Sequence, residues 1–308
     1  MEQNRFLQLK VLTSLLVVQI LFGINYVVSK VVIRSFPPLL WASIRIGCAA
    51  VFLVLLALCL KRKRPTFNLE FFKSLTLFAC LGVIINQGSF LVGLKYTTAS
   101  NSSILTTLIP IFTLVMVTLS GKEPLSLRRG LGFASALAGV LVLKKVEDFS
   151  SSDQTHLGDG LTILNCLSYS LFLATSRKFI QKHDPIWITA GLFTVGTIGL
   201  SLLAIPSWIS FEWPPFNPQL WGCVLFSILG STLLAYLLNL WALGHTQSSS
   251  VALAIYLQPL FGSLLAWYYL DEVVTLRMAF ASFLIFLGML ISLTPKAVPP
   301  SHSTKLSP

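Results

Sequence analysis

The chain has 308 residues, 55% hydrophobic and only 11% charged, with a mean hydropathy of +0.79. Soluble domains carry about 25% charged residues, so the composition excludes a water-soluble enzyme, a disordered tail protein and a disulfide-stapled secreted domain. The charge is lopsided, with 22 Lys and Arg against 11 Asp and Glu. In so apolar a chain, basic loops held on one side of a membrane explain the excess better than a nucleic-acid surface does.

A helix needs about 20 apolar residues to cross the hydrocarbon core. In chain order ten segments qualify: 11–33, 39–60, 73–94, 98–120, 127–146, 160–180, 186–209, 219–242, 248–270 and 276–294. The predicted fold class is an all-α integral membrane protein with ten transmembrane helices. Pro37, Pro38, Pro65, Pro124, Pro185, Pro214, Pro215 and Pro295 fall between or just outside these segments, where a missing N–H costs little. The first segment reads as a retained helix, longer than a signal-peptide core and followed by no A-x-A-like site. Cys48, Cys59, Cys80, Cys166 and Cys223 all fall inside apolar segments without metal-ligand spacing, so they read as small buried hydrophobes.

With a cytoplasmic N-terminus, one side collects 15 basic residues, including the run Lys61-Arg62-Lys63-Arg64, and the other keeps 7. That bias predicts both termini in the cytoplasm. The run at 61–64 reads as a topology determinant, with an anionic-lipid site as the alternative.

The chain also matches itself. At an offset of 149, Leu94, Thr97, Pro110, Phe112, Glu123, Leu127, Arg128 and Gly139 meet Leu243, Thr246, Pro259, Phe261, Glu272, Leu276, Arg277 and Gly288. Nearer the start of each copy the offset is 147, pairing Ser29 with Ser176 and Pro38 with Pro185. Each copy holds five spans. An odd number sends the second copy in from the opposite face, so the halves are expected to be inverted-topology repeats, which suit alternating access around one central site. The predicted organisation is residues 1–146, an outer linker 147–159, residues 160–294, and a disordered cytoplasmic tail 295–308.

The first repeat opens with Leu21-Phe22-Gly23-Ile24-Asn25-Tyr26-Val27-Val28-Ser29-Lys30. Arg45 follows in the second span, then Gly93-Leu94-Lys95-Tyr96-Thr97-Thr98-Ala99-Ser100, Pro110 and Glu123. The second half repeats the later part as Ala242-Leu243-Gly244-His245-Thr246, Pro259 and Glu272. In this order the elements resemble the EamA-type repeat of the drug/metabolite transporter superfamily. The resemblance implies a ten-helix bundle whose central cavity is lined mainly by helices 1, 3, 4, 6, 8 and 9, with 5 and 10 as scaffold. The second copy departs from the pattern by lacking equivalents of Gly23 and of the second-span arginine.

Polar side chains at mid-membrane depth should face the protein interior or a wet cavity. Helical spacing puts Gln19, Tyr26 and Lys30 on one face of helix 1. It also gives stripes of Thr162, Asn165, Tyr169 and Ser176 in helix 6 and of Thr232, Tyr236 and Asn239 in helix 8, while helix 3 adds Asn86 and Gln87. In helices 4 and 9, repeat symmetry pairs Tyr256 with Thr107 but Gln258 with apolar Ile109. The Thr107/Tyr256 face is therefore expected to line the cavity. Pro110 and Pro259 each free a carbonyl one turn upstream, which bends a gate or offers a backbone acceptor. Expected substrate-binding residues are thus Gln19, Tyr26, Lys30, Asn86, Gln87, Thr107, Asn165, Tyr169, Tyr236, Asn239 and Tyr256. Two readings stand for Lys30, anion attraction and snorkelling to the headgroups; for Arg45 snorkelling is preferred.

All eleven acids lie in loops, tails or span ends, as do the four histidines. Proton-driven transporters carry titratable groups within their spans, so a facilitator or exchanger without a dedicated proton carrier is expected. No motif supports nucleotide hydrolysis, covalent catalysis, a metal site or a cofactor. The predicted function is a secondary transporter of the cytoplasmic membrane, acting as a monomer or homodimer. Its expected substrate is an amino acid or similar amphipathic metabolite, with efflux as the default. Alternatives are uptake or exchange of a larger or anionic, nucleotide-like metabolite and, from another class, a membrane receptor or sensor.

Overall fold

The computed structural model describes residues 2–97, 102, 105–124, 126–143, 153–261 and 276–293, and these form helices and connecting turns with no strand. In chain order the helices are α1 (Glu2–Val32), α2 (Pro38–Cys59), α3 (Leu69–Tyr96), α4 (Leu108–Leu119) and α5 (Leu127–Leu143). They continue as α6 (Asp153–Gln181), α7 (Pro185–Leu203), α8 (Pro218–His245), α9 (Ser248–Phe261) and α10 (Leu276–Leu293). Six of them, α1, α2, α3, α6, α7 and α8, are long and apolar enough to cross a membrane. Described parts of α4, α9 and α10 are apolar but shorter. Glu272, the tail 295–308 and the first part of the linker lie outside the described residues.

Helix starts follow local chemistry. Asn68, Asp184 and Asn217 accept backbone N–H bonds at the heads of α3, α7 and α8, and Pro38, Pro185 and Pro218 stand at the first helical position, where no N–H is needed. The seventh segment, expected to run to 209, stops at Leu203; a short turn, Ile205–Ser210, follows because Pro206 cannot continue the ladder. Large apolar side chains such as Phe52, Leu55, Leu77, Ile198, Leu202 and Phe283 are exposed. Such an apolar exterior suits lipid and not water. Cys48 and Cys59 share that outer surface instead of being buried.

Helices α3 and α8 each contain a widened π-type stretch, Cys80–Ile85 and Ser227–Leu234. An offset of 149 carries the first onto residues 229–234, inside the second. In α8 the Thr232 hydroxyl donates to the Ser227 carbonyl at 2.6 Å, helping to hold the wide turn, and Ser231 Oγ lies 3.0 Å from the same carbonyl. Such insertions rotate everything downstream and cluster at functional sites.

Helices α5 and α10 pack on each other through small residues. A Cβ on Gly139 would fall 2.7 Å from the Ala281 carbonyl oxygen, and one on Gly288 2.4 Å from that of Gly132. The offset of 149 turns each of these pairs into the other. Ser135 Oγ also donates to the Leu284 carbonyl at 3.0 Å, a pair separated by the same 149 residues. Contacts that map onto themselves in this way are the pattern of a two-fold interface.

Candidate functional site

A cavity of ≈ 80 Å³ lies between the helices. From α1 come Gln19, Phe22, Asn25 and Tyr26, and from α3 Asn86, Gln87 and Phe90, just after the π-type stretch. Helix α6 adds Asn165 and Tyr169, and α8 adds Ser231, Tyr236 and Asn239. Thr106 and Ile109 arrive from the start of α4, Ile255 and Gln258 from α9, and Arg45 from α2.

The polar groups form two main networks. In the first, Arg45 Nη2 donates to Gln87 Oε1, and Gln87 Nε2 donates to the Tyr236 hydroxyl and, at 2.5 Å, to Asn86 Oδ1. Asn165 Nδ2 holds the Asn86 backbone carbonyl at 2.8 Å. In the second, Gln258 Nε2 donates to Gln19 Oε1 at 2.7 Å, while the Tyr26 hydroxyl lies 3.2 Å from Gln258 Oε1 and 2.7 Å from Thr106 Oγ1. Asn239 Nδ2 also donates to the Tyr169 hydroxyl at 2.6 Å, and Ser231 Oγ to Asn25 Oδ1 at 2.7 Å.

Of the expected residues, Gln19, Tyr26, Asn86, Gln87, Asn165, Tyr169, Tyr236 and Asn239 are brought together here. Lys30, Thr107 and Tyr256 are not among the lining residues. Lys30 Nζ donates to the Leu94 and Thr97 carbonyls at 2.5 and 2.8 Å, so its charge meets the carbonyl end of α3 and its dipole. Tyr256 is fully buried and packs edge-on against Phe133 of α5. At helices 4 and 9 this cavity is lined instead by Thr106/Ile109 and Ile255/Gln258. These pairs are repeat mates at an offset of 149, so symmetry does select one face, but it preserves position and not polarity. From the expected stripes, Thr162, Ser176 and Thr232 are buried away from the cavity.

Two lining groups run against the sequence reading. Arg45, expected to snorkel, is 2% exposed and faces the cavity. Asn25 sits beside Tyr26, a step of about 100° on a helix; its signal was the broad polar face of α1, which single-stripe spacing narrowed too far. Pro110 falls in the first turn of α4, after a break at Thr106 and Thr107, and Ile109 N takes the Thr106 carbonyl at 3.1 Å. Pro259 likewise follows a tightened turn, Ala254–Leu257.

Further polar contacts stand toward both ends of the bundle. At one end Lys30 is joined by Thr97, whose hydroxyl donates to Asp159 Oδ1 at 2.5 Å. At the other, Glu123 accepts from Ser249 Oγ and lies 3.6 Å from Arg129, whose Nη2 donates to Gln247 Oε1. Arg62 and Asp184 pair at 3.7 Å at that same end. Glu123 and Asp159 do lie at helix ends, as expected, but both are buried.

A closely packed helical bundle with an apolar exterior and a polar cavity defines a multi-pass membrane protein. Its family is equally plain: the model of the EamA-like transporter family matches residues 9–144 and again 156–294, and the chain belongs to that family. It is a transporter, not an enzyme. It is 25% identical over 290 residues to an uncharacterized transporter of Bacillus subtilis, YoaV, covering 92% of this chain and 96% of that one. An uncharacterized transporter of Archaeoglobus fulgidus is 32% identical over 201 residues, covering 64% of this chain and 68% of that one. A solved crystal structure superposes with a TM-score of 0.72 at 16% identity, over 94% of this chain and 98% of the other. That likeness speaks for the fold alone.

Proposed function

We propose that the chain is a secondary transporter that moves a small organic metabolite through this cavity by alternating access. In this reading ten helices cross the membrane as two inverted five-helix halves, residues 1–146 and 160–294, joined by the linker 147–159. One observation carries it. Gln87 and Tyr236, repeat mates 149 residues apart, are hydrogen-bonded to each other inside the cavity. Only residues close to a two-fold axis can touch their own mates, so the axis relating the halves runs through the polar site. The self-mapping α5/α10 contact supports the same axis. Two related halves then give two ends to open: Lys30, Thr97 and Asp159 stand at one and Glu123, Arg129, Gln247 and Ser249 at the other, with the repeat mates Pro110 and Pro259 at the matching bends.

At ≈ 80 Å³ the cavity holds only a few waters, whereas metabolite sites span about 300–1,000 Å³. In this reading the conformation described is a contracted one, and substrate enters by parting the side-chain networks. Among the described residues the lining has no carboxylate or histidine, and in this reading flux uses no dedicated proton carrier. In this reading both termini are cytoplasmic and the protein sits in the cytoplasmic membrane, which the 15:7 basic bias supports. An amphipathic metabolite is the substrate class, and efflux the default direction.

Reconstitution of the purified protein tests this reading. Proteoliposomes are expected to exchange labelled metabolite faster than protein-free vesicles, and a pH gradient alone is not expected to concentrate an uncharged substrate. Binding without flux for every ligand would favour a receptor instead, and pH-driven accumulation of an uncharged compound would end the proposal of carrier-free transport.

A further inference from the structure

The cavity carries one formal charge among its described lining residues, and it is positive. Arg45 is 2% exposed, two turns into α2. Neither ion pair among the described residues, Arg62–Asp184 or Arg129–Glu123, involves it. Its Nη2 donates to the neutral Gln87 Oε1, and its Nε has no hydrogen-bond partner among the described residues. A guanidinium does not escape burial by shedding its proton. Left unpaired within a membrane protein, such a charge is among the costliest arrangements a fold can hold, and it marks a functional group by default.

The remaining lining explains what would relieve it. Asn, Gln and Tyr groups offer neutral donors and acceptors, and Phe22, Phe90 and Ile109 offer an apolar surface. A cation entering this chamber would face a second positive charge with no acid to screen it. A dianion would leave one negative charge uncompensated. A single carboxylate brings the chamber to neutrality, and its two oxygens match the guanidinium fork.

Building on the transport reading above, we propose that the carried substrate is an organic monoanion whose carboxylate docks on Arg45, taking the place of Gln87 Oε1. Released Gln87 keeps Asn86 and Tyr236 as acceptors for its Nε2, and its freed Oε1 is left as an acceptor for a donor on the substrate. Carriage of a monoanion without a proton moves one negative charge. A membrane potential of 100 mV, negative inside, then sustains a concentration about fiftyfold higher outside than inside. Efflux follows from the electrostatics of the site.

The test uses the full-length protein in detergent and a panel of aliphatic and aromatic monocarboxylates, each paired with the amide and the amine of the same skeleton. Thermal-shift hits are expected among the carboxylates. Arg45→Gln should weaken each hit about tenfold to a hundredfold. Because that variant loses a buried partner and can fail to fold, Gln87→Glu serves beside it. That change sets a carboxylate against the guanidinium, an internal competitor that keeps the fold and removes carboxylate binding by a similar factor. Hits concentrated among amides or amines, an absence of carboxylate hits, or unchanged affinity in Gln87→Glu would each overturn the proposal.

Flux of the hits in proteoliposomes separates this proposal from the reading beneath it. Amides or amines that are bound and carried leave the transporter standing and remove the monoanion. Carboxylates that bind through Arg45 but are never carried leave the anion site and remove the transporter. With a potassium diffusion potential negative inside, loaded vesicles should release a labelled carboxylate hit faster than at zero potential; insensitivity to the potential would overturn electrogenic carriage.

Discussion

The cavity wall built from α2, α3 and α8 gathers Asn86, Gln87 and Tyr236 around the Arg45 guanidinium, whereas the wall from α1, α4 and α9 joins Gln19, Tyr26, Thr106 and Gln258 without any charge. Both walls use repeat-equivalent positions: Gln87 with Tyr236, Phe90 with Asn239, Thr106 with Ile255 and Ile109 with Gln258. Their chemistry nonetheless departs from symmetry. At the offset of 147 that governs the early part of each repeat, Arg45 corresponds to Leu192, a buried apolar residue of α7. In the proposed mechanism the repeat supplies the paired helices of the cavity, and the departure from the repeat supplies recognition. A fully symmetric cavity would carry two guanidinium groups or none, and neither suits a monoanion.

Substitutions sharpen this contrast in a definite order. Arg45→Gln should have the largest effect, lowering kcat/KM for a carried carboxylate in proteoliposomes about a hundredfold, with Arg45→Lys recovering part of it. Equal flux in Arg45→Gln and the parent would erase the distinction between the walls. Tyr236→Phe comes next. It removes the hydroxyl that receives Gln87 and lies 3.3 Å from Asn86 Oδ1, and about a tenfold loss in flux is expected from one disrupted bond in the charged network. On the neutral wall, Gln258→Leu breaks the links to Gln19 and Tyr26 but strands no charge. Its KM should rise about threefold to tenfold with kcat little changed. A loss larger than that of Arg45→Gln would invert the ranking.

The smallest effect belongs to Tyr256→Phe. That hydroxyl has no hydrogen-bond partner among the described residues and its ring packs on Phe133, away from the cavity. Flux should be unchanged, and stability in thermal unfolding should move by less than about 0.5 kcal/mol. A substrate-dependent KM change would return Tyr256 to the cavity.

Much of this site was legible before any coordinates. The stripes Asn165/Tyr169 and Tyr236/Asn239 follow from helical spacing, and polar groups in lipid have few places to go. Lys30 and Arg45 were harder, because both stand toward the ends of apolar segments. Their fates depend on what packs beside them: Lys30 finds the carbonyl end of α3, Arg45 finds Gln87. Thr107 and Tyr256 were chosen on matching polarity, whereas the residues that line this cavity match in position. In both repeats the break before the proline turns the neighbouring residues, Thr106 and Ile255, inward.

The sequence by itself determined a membrane protein with two copies of one helical unit and the register between them. Apolar length, loop charge and internal offset are local properties, and no packing partner alters them. Tertiary structure decided which face of each helix meets the cavity. The π-type stretches in α3 and α8 shift the helical phase just before Gln87 and Tyr236, and no constant step of 100° anticipates that. It also decided that one arginine would be held inside without an acid. That arrangement arises only when neighbouring helices close around it, because burial is a property of the neighbours and not of the residue.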